Sequence, residues 1–251
     1  SSLGLYTFGA PYLGLYGACS TCTEALLILS AMLSESDTMR LGAAVTSSHN
    51  SAAERQFRTP IEYGGQRAPS AQWTATAAGA VLLGKSGSAL RITDVMPGKI
   101  IDGAISDASD MGAAMAPAAA DSILTYFSLS DTPPEAFDFI VTGDLGVIGS
   151  ELLCEILREN GLSGAADRHA DCGMLLYDRE RQDVHAGGSG CGCSASVLST
   201  YFLPKFHTGE VGNLLFLSTG ALMSPSSVQQ GDHIFGVAPA IHLQKGENRI
   251  C

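Results

Sequence analysis

Two stretches of this 251-residue chain repeat one another at a distance of 172 positions, and no other feature constrains the fold as much. In the first, Gly17-Ala18-Cys19 opens a helix-compatible run, a strand ends at Val45-Thr46-Ser47, and a loop leads to a strand over Gly79 to Leu83. In the second, Gly190-Cys191-Gly192 opens a helix, a strand ends at Leu217-Ser218-Thr219, and a loop leads to a strand around Gly236 to Leu243. The shift superposes Cys19 on Cys191 and Thr46 on Ser218. A duplicated helix–strand–loop–strand unit predicts two copies about a pseudo-twofold axis. Both helix N-termini, and both cysteines, would then meet at one central site.

The first repeat carries the sharpest chemistry. Leu26, Leu29 and Leu33 recur at helical spacing, and Leu27 and Ile28 make the run from Ser20 to about Leu33 apolar almost all round, as in a buried helix. Cys19 falls in its first turn, where the positive end of the peptide dipoles stabilises a thiolate and free N–H groups attract anions. That placement suits a nucleophile or an anion pocket. Cysteine is also an ordinary core residue, and from the residue alone a buried structural role is the default reading.

Composition removes several function classes. A net charge of −11 with only 14 Lys and Arg argues against nucleic acid and against electrostatic docking to anionic lipid. Seven cysteines include the single C-x-x-C of Cys19 and Cys22, without partner ligands at zinc spacing, so no metal centre or disulfide framework is expected. No run of 18 uncharged apolar residues is present to span a membrane.

Along the chain, Gly9 to Leu15 is expected as a turn and short strand, and Leu41 to Val45, Ala77 to Leu83 and Leu90 to Val95 as strands. The polar stretch Ser51 to Gln72, with Arg55, Arg58 and Arg67, reads as a long functional loop. In the second half, Met111 to Phe127 is an Ala-rich helix expected to be interrupted near Pro117. Phe137 to Thr142 is a strand delivering Gly143-Asp144-Leu145-Gly146 into a helix over about Ser150 to Glu159. Cys172 to Tyr177 is expected as a strand, Cys193 to Phe206 as a helix, and Leu214 to Ser218 and Phe235 to Leu243 as the closing strands. The predicted fold class is α/β, in two halves over residues 1–105 and 106–251.

The repeat resembles the thiolase fold, a layered αβαβα arrangement of two pseudo-symmetric halves. Further blocks narrow the resemblance: Gly17 to Thr21, Thr46 to Asn50, Ala53 to Arg58, Glu62 to Gln66, Asp110 to Asp121, Thr142 to Leu145, Asp171-Cys172-Gly173, Gly187 to Cys191, and Thr219 to Leu222 with Ser224-Pro225. Together they resemble the stage V sporulation protein AD family of endospore-forming bacteria. Relative to that family the chain starts late, so its first half is expected to be truncated.

The resemblance implies three readings. As a condensing enzyme, the chain would use Cys19 as its acylated nucleophile. The matching His and Asn positions are Gly143 and Cys191, and losing such donors typically slows catalysis ~10²–10³-fold each. His49 and His185 stand off the matching positions. As a binding protein, it would hold dipicolinic acid and support its uptake into the developing spore. Cys19, Ser48, His49, Arg55, Arg58, Gly143, Asp144 and Cys191 would line the site, with calcium as an optional companion of the ligand at Asp144. Arg55 and Arg58 are equally explained by surface ion pairs with Glu54 and Glu62. As a scaffold, it would act through other stage V sporulation A-type membrane proteins or as a homodimer. In each case a soluble protein held peripherally at the inner membrane of the forespore or spore is implied.

Overall fold

The computed structural model describes residue 4 and residues 6–52, 67–87 and 90–246. A 3-10 turn, Ala18–Ser20, leads into α1 (Thr21–Glu35), followed by β1 (Leu41–Ser48), β2 (Trp73–Thr74), β3 (Ala77–Gly84), β4 (Leu90–Met96) and β5 (Ile101–Asp102). Next come α2 (Met111–Leu129), β6 (Phe139–Thr142), α3 (Gly146–Glu159), α4 (Ser163–Ala166), β7 (His169–Asp171), α5 (Cys172–Leu176) and β8 (Gly188–Ser189). The second repeat's helix runs through α6 (Cys191–Val197), a π segment (Leu198–Phe202) and α7 (Leu203–Thr208). β9 (Asn213–Leu217), β10 (Gly220–Leu222), α8 (Pro225–Gln230), β11 (Phe235–Val237) and β12 (Ala240–Lys245) complete the described chain.

The main sheet has the order β4-β12-β9-β6-β7. Its central strands are apolar on both sides. Ile140, Leu215 and Leu217 face one cluster with Leu153 of α3 and Ile123 of α2, whereas Val141, Leu214 and Phe216 face another with Leu26 of α1 and Leu198. A sheet covered on both faces needs such unbroken apolar strands. The second cluster continues to Ala44 and Val81 of the β1–β3 pair. The helices of the two repeats therefore lie between two sheets, as the thiolase fold requires. β1 pairs antiparallel with β3 as β9 does with β12, which is the expected repeat.

Four expectations change. Gly9 to Leu15 forms no strand: Tyr12 and Leu13 are exposed, and no partner strand lies beside them among the described residues. Pro117 does not interrupt α2, which runs unbroken to Leu129. Small residues let α2 bury nearly its whole surface, and a Cβ on Gly112 would stand 2.2 Å from Leu145 O, so α2 and the start of α3 cross at backbone contact. Cys172 to Leu176 is helical rather than extended, because Asp171 caps it by accepting from Met174 N at 3.2 Å. Phe235 to Leu243 divides into β11 and β12, which lie in different sheets. β4 and β5 pair with β12 and β11, so strands from the first part of the chain complete the sheets of the second.

Candidate functional site

The two repeats meet where the 172-residue shift places equivalent side chains together. The hydroxyls of Ser194, Ser218 and Thr46 all lie within hydrogen-bonding reach of the Cys22 thiol. Ser194 is the equivalent of Cys22, and Ser218 that of Thr46. Burial pushes the Cys22 thiol up to about 12, with the three hydroxyls opposing that rise only in part. Thr23 donates from Oγ1 to Ser218 Oγ at 2.8 Å and accepts from Ser218 N at 2.9 Å. The helix openings are exchanged in the same way. Gly192 N donates to Ser48 Oγ at 3.1 Å, while Gly220, the equivalent of Ser48, packs so closely on Ser20 that a Cβ would lie 2.9 Å from Ser20 Oγ.

Cys19 lies outside the α-helix, two residues before α1 and inside the 3-10 turn Ala18–Ser20, and is 7% exposed. Ala18 before it has φ +53°, a left-handed conformation rare for an L side chain. The turn is closed by Ser20 N donating to Gly17 O at 3.1 Å and by Ser20 Oγ donating to Glu24 Oε1 at 2.5 Å. This strained elbow holds Cys19 at the junction of α1 and β10.

After β6 the chain turns through Gly143 to Gly146. A Cβ on Gly143 would lie 3.0 Å from both Ser218 Cα and Thr219 N, so neighbouring backbone leaves little room for a side chain there. Asp144 is 1% exposed; its Oδ2 accepts from Gly190 N at 2.8 Å and its Oδ1 from Thr219 Oγ1 at 2.8 Å. Its carboxylate thus ties the opening of the second repeat's helix to the end of β9. Among the described residues no group of three or more His, Cys, Asp or Glu side chains is arranged to hold a metal, and both oxygens of the Asp144 carboxylate are engaged within the protein.

Asp171, which the sequence reading passed over as an acid, organises the same turn. It accepts from Thr142 Oγ1 (2.7 Å), Leu145 N (2.8 Å) and Gly146 N (3.0 Å). Burial still lifts its carboxyl to about 6 against those donors. The single Thr142 proton goes to Asp171, so His169 Nε2, 2.8 Å from Thr142 Oγ1, must carry a proton and donate. Burial holds His169 down to about 4, hence neutral. The Asp171-Cys-Gly step at a strand end was the available signal.

Of the remaining expected site residues, Ser48 and Cys191 stay together with Asp144 at the Gly190–Gly192 opening. Ser48 donates its one proton to Ala75 O at 2.7 Å, which leaves none for a ligand and makes it a pin rather than a loop donor. His49 is exposed, its Nδ1 accepting from Ser51 N at 3.1 Å. Cys191 is half-buried and contacts Ser47 O through Sγ at 3.3 Å. His185 is engaged at Nδ1 by Ala68 O and at Nε2 by Asp183. Arg55 and Arg58 lie outside the described residues, as do Glu54 and Glu62. Arg67 binds Asp183 at 2.8 Å and stacks over Trp73 at 4.7 Å.

Beside the Cys19 turn opens a cavity of about 1100 Å³. Tyr16 and Ala18 form one wall, and Leu222, Ser227, His233 and Phe235 contribute to the others. The sequence reading missed it because its walls come from segments more than 200 residues apart.

Comparison with known proteins places this geometry in context. A family profile described as Stage V sporulation protein AD matches residues 1–244. Stage V sporulation protein AD of Bacillus subtilis is 41% identical over 235 residues, covering 94% of this chain and 69% of that protein. Among solved structures, OleA of Xanthomonas campestris superposes with a TM-score of 0.59 at 12% identity, covering 97% of this chain and 67% of its own. The 3-oxoacyl-(acyl carrier protein) synthase III FabH of Pseudomonas aeruginosa gives 0.58 at 12% identity, covering 98% and 71%. At such identities these two show a shared thiolase-like fold.

Proposed function

The chain belongs to the stage V sporulation protein AD family, and on that premise we propose that it is a non-catalytic thiolase-like protein that binds dipicolinic acid and supports its uptake into the developing spore. One observation carries the non-catalytic part. The Gly143 position, which the family resemblance matches to the histidine of condensing enzymes, carries no side chain and is packed against Ser218 and Thr219. In condensing enzymes of this fold, losing the histidine that serves as base and oxyanion donor removes several kcal/mol of transition-state stabilisation.

Binding is supported by what remains. The Cys19 elbow adjoins a cavity of about 1100 Å³, slightly above the ~300–1,000 Å³ of typical ligand sites and roomy enough for a small aromatic acid. Arg55 and Arg58 are the cationic partners proposed for the ligand's carboxylates, each such contact contributing ~1.5–3 kcal/mol. No described helix is long and apolar enough to cross a membrane, and the proposed place at the spore's inner membrane is a peripheral one, held by partner proteins.

Titration calorimetry with dipicolinate, with and without calcium, tests the reading. Saturable heat that is lost in Cys19→Ala or Arg55→Ala supports it. Absence of heat at millimolar ligand overturns it in favour of a scaffold, a reading that the exposed Leu41, Val45 and Leu82 on the outer face of β1 and β3 also favour.

A further inference from the structure

Residues 67–75 and 183–190 run side by side as a parallel seam between the two repeats. Ala186 N donates to Ala71 O at 3.1 Å, Trp73 N to Gly187 O at 2.8 Å and Ala75 N to Ser189 O at 2.8 Å. β2 and β8 pair within this seam, and Gly190 just beyond it is the residue whose N–H Asp144 holds. His185 closes the other end. It stands at φ +47°, a left-handed conformation that few L residues adopt. Its Nδ1 lies 2.8 Å from Ala68 O and its Nε2 lies 2.9 Å from Asp183 Oδ1.

A backbone carbonyl and an ionised carboxylate only accept, whereas a neutral imidazole carries a single N–H. Both contacts of His185 are therefore satisfied together by the imidazolium alone. Arg67 shares the same acceptor: its Nη2 lies 2.8 Å from Asp183 Oδ1 and donates to Asp183 O at 2.5 Å, while its guanidinium stacks over Trp73. Arg67 Nη1 is buried and has no partner among the described residues. Loss of the proton then has a defined outcome. Ala68 O is backbone and keeps Nδ1–H, whereas the Asp183 side chain, 81% exposed, is free to turn from the bare Nε2 toward Arg67 Nη1. Among the described residues, Asp183 and Arg67 are the charged groups bonded at this end of the seam, and Arg181 of the same loop pairs with Asp178 instead.

We propose that His185 is a proton-operated latch. As imidazolium it ties Asp183 and Ala68 together and closes the seam between the repeats; as neutral imidazole it releases Asp183 to Arg67. The latch needs no ligand and goes beyond the dipicolinate reading.

Nitrogen-15 NMR and native-state hydrogen exchange between pH 5.5 and 8 test it in wild type, His185→Gln and Asp183→Asn. In wild type, the protection of the Trp73, Ala75 and Ala186 amides, corrected for intrinsic exchange rates, falls about 2- to 5-fold toward pH 8, the scale of an exposed ion pair. His185→Gln cannot titrate there, and the amide of Asp183→Asn accepts from one ring form and donates to the other, so both variants lose that dependence on pH. Asp183→Asn also lowers the pH at which the His185 ring gives up its second proton, because the counter-charge is gone. Protection of these amides that ignores pH in wild type, or that keeps the same pH dependence in both variants, overturns the latch.

Discussion

Cys22 and Ser194 occupy equivalent positions of the two repeats, 172 residues apart, and their side chains meet on the axis that relates them. A thiol on one repeat and a hydroxyl on the other make the contact asymmetric in chemistry although symmetric in place. Thr46 and Ser218, the second equivalent pair, complete the cluster. The cysteine at the heart of the molecule is therefore Cys22, a packed core thiol, and Cys19 stands to one side in its strained turn.

Burial makes Cys22 and Cys172 inert, since the thiolate of each is disfavoured by lost hydration. Iodoacetamide near pH 8 should leave both unmodified in the native protein and label both after denaturation. Peptide mass spectrometry reads the outcome; native labelling of Cys22 would contradict the packed axis.

Installing the absent histidine should fail structurally. Gly143→His must displace Ser218 and Thr219 backbone, and overpacking of that kind costs about 1–3 kcal/mol or more. A lower urea midpoint with no gain of condensing activity is expected. A variant as stable as wild type would mean that the turn is looser than its contacts imply.

Asp144→Ala should strand the Gly190 N–H, whose partner is that carboxylate, and release Thr219 Oγ1. A buried donor left unmet, added to the loss of two charge-assisted bonds, gives an expected destabilisation of about 2–4 kcal/mol. Calcium should shift the unfolding midpoint of wild type and variant equally. A calcium effect confined to wild type would restore Asp144 as a ligand.

His169 and Asp171 should oppose one another in acid. His169 falls from 6.5 to about 4 in the folded protein, so between those values the unfolded chain binds the extra proton and stability drops as pH falls. Asp171 rises from 3.8 to about 6, so there the folded state binds the extra proton and stability grows as pH falls. Each contribution is roughly 3 kcal/mol, and they nearly cancel between pH 4 and 6. Asp171→Asn should therefore become acid-sensitive below pH 6.5, while His169→Gln should gain relative stability as pH falls from 6. Urea titrations at several pH values check both, and parallel pH profiles for the two variants would refute the pairing.

The sequence by itself determined the repeat, the two helix openings at Gly17 and Gly190, the family, and the strands that carry the apolar sheet. These are local signals: periodicity, glycine placement and a motif read without knowing what lies opposite. Only the tertiary structure decided how polar groups are used. Ser48 and Asp144 read as ligand contacts, yet their hydrogen bonds go to Ala75, Gly192, Gly190 and Thr219, residues brought near by packing and not by sequence spacing. Pro117 reads as a break, yet tight burial against α3 carries the helix through it. The contact of His185 with Ala68 was invisible for the same reason. A side chain's neighbours 117 residues away are set by the way the two segments meet, which no local pattern encodes.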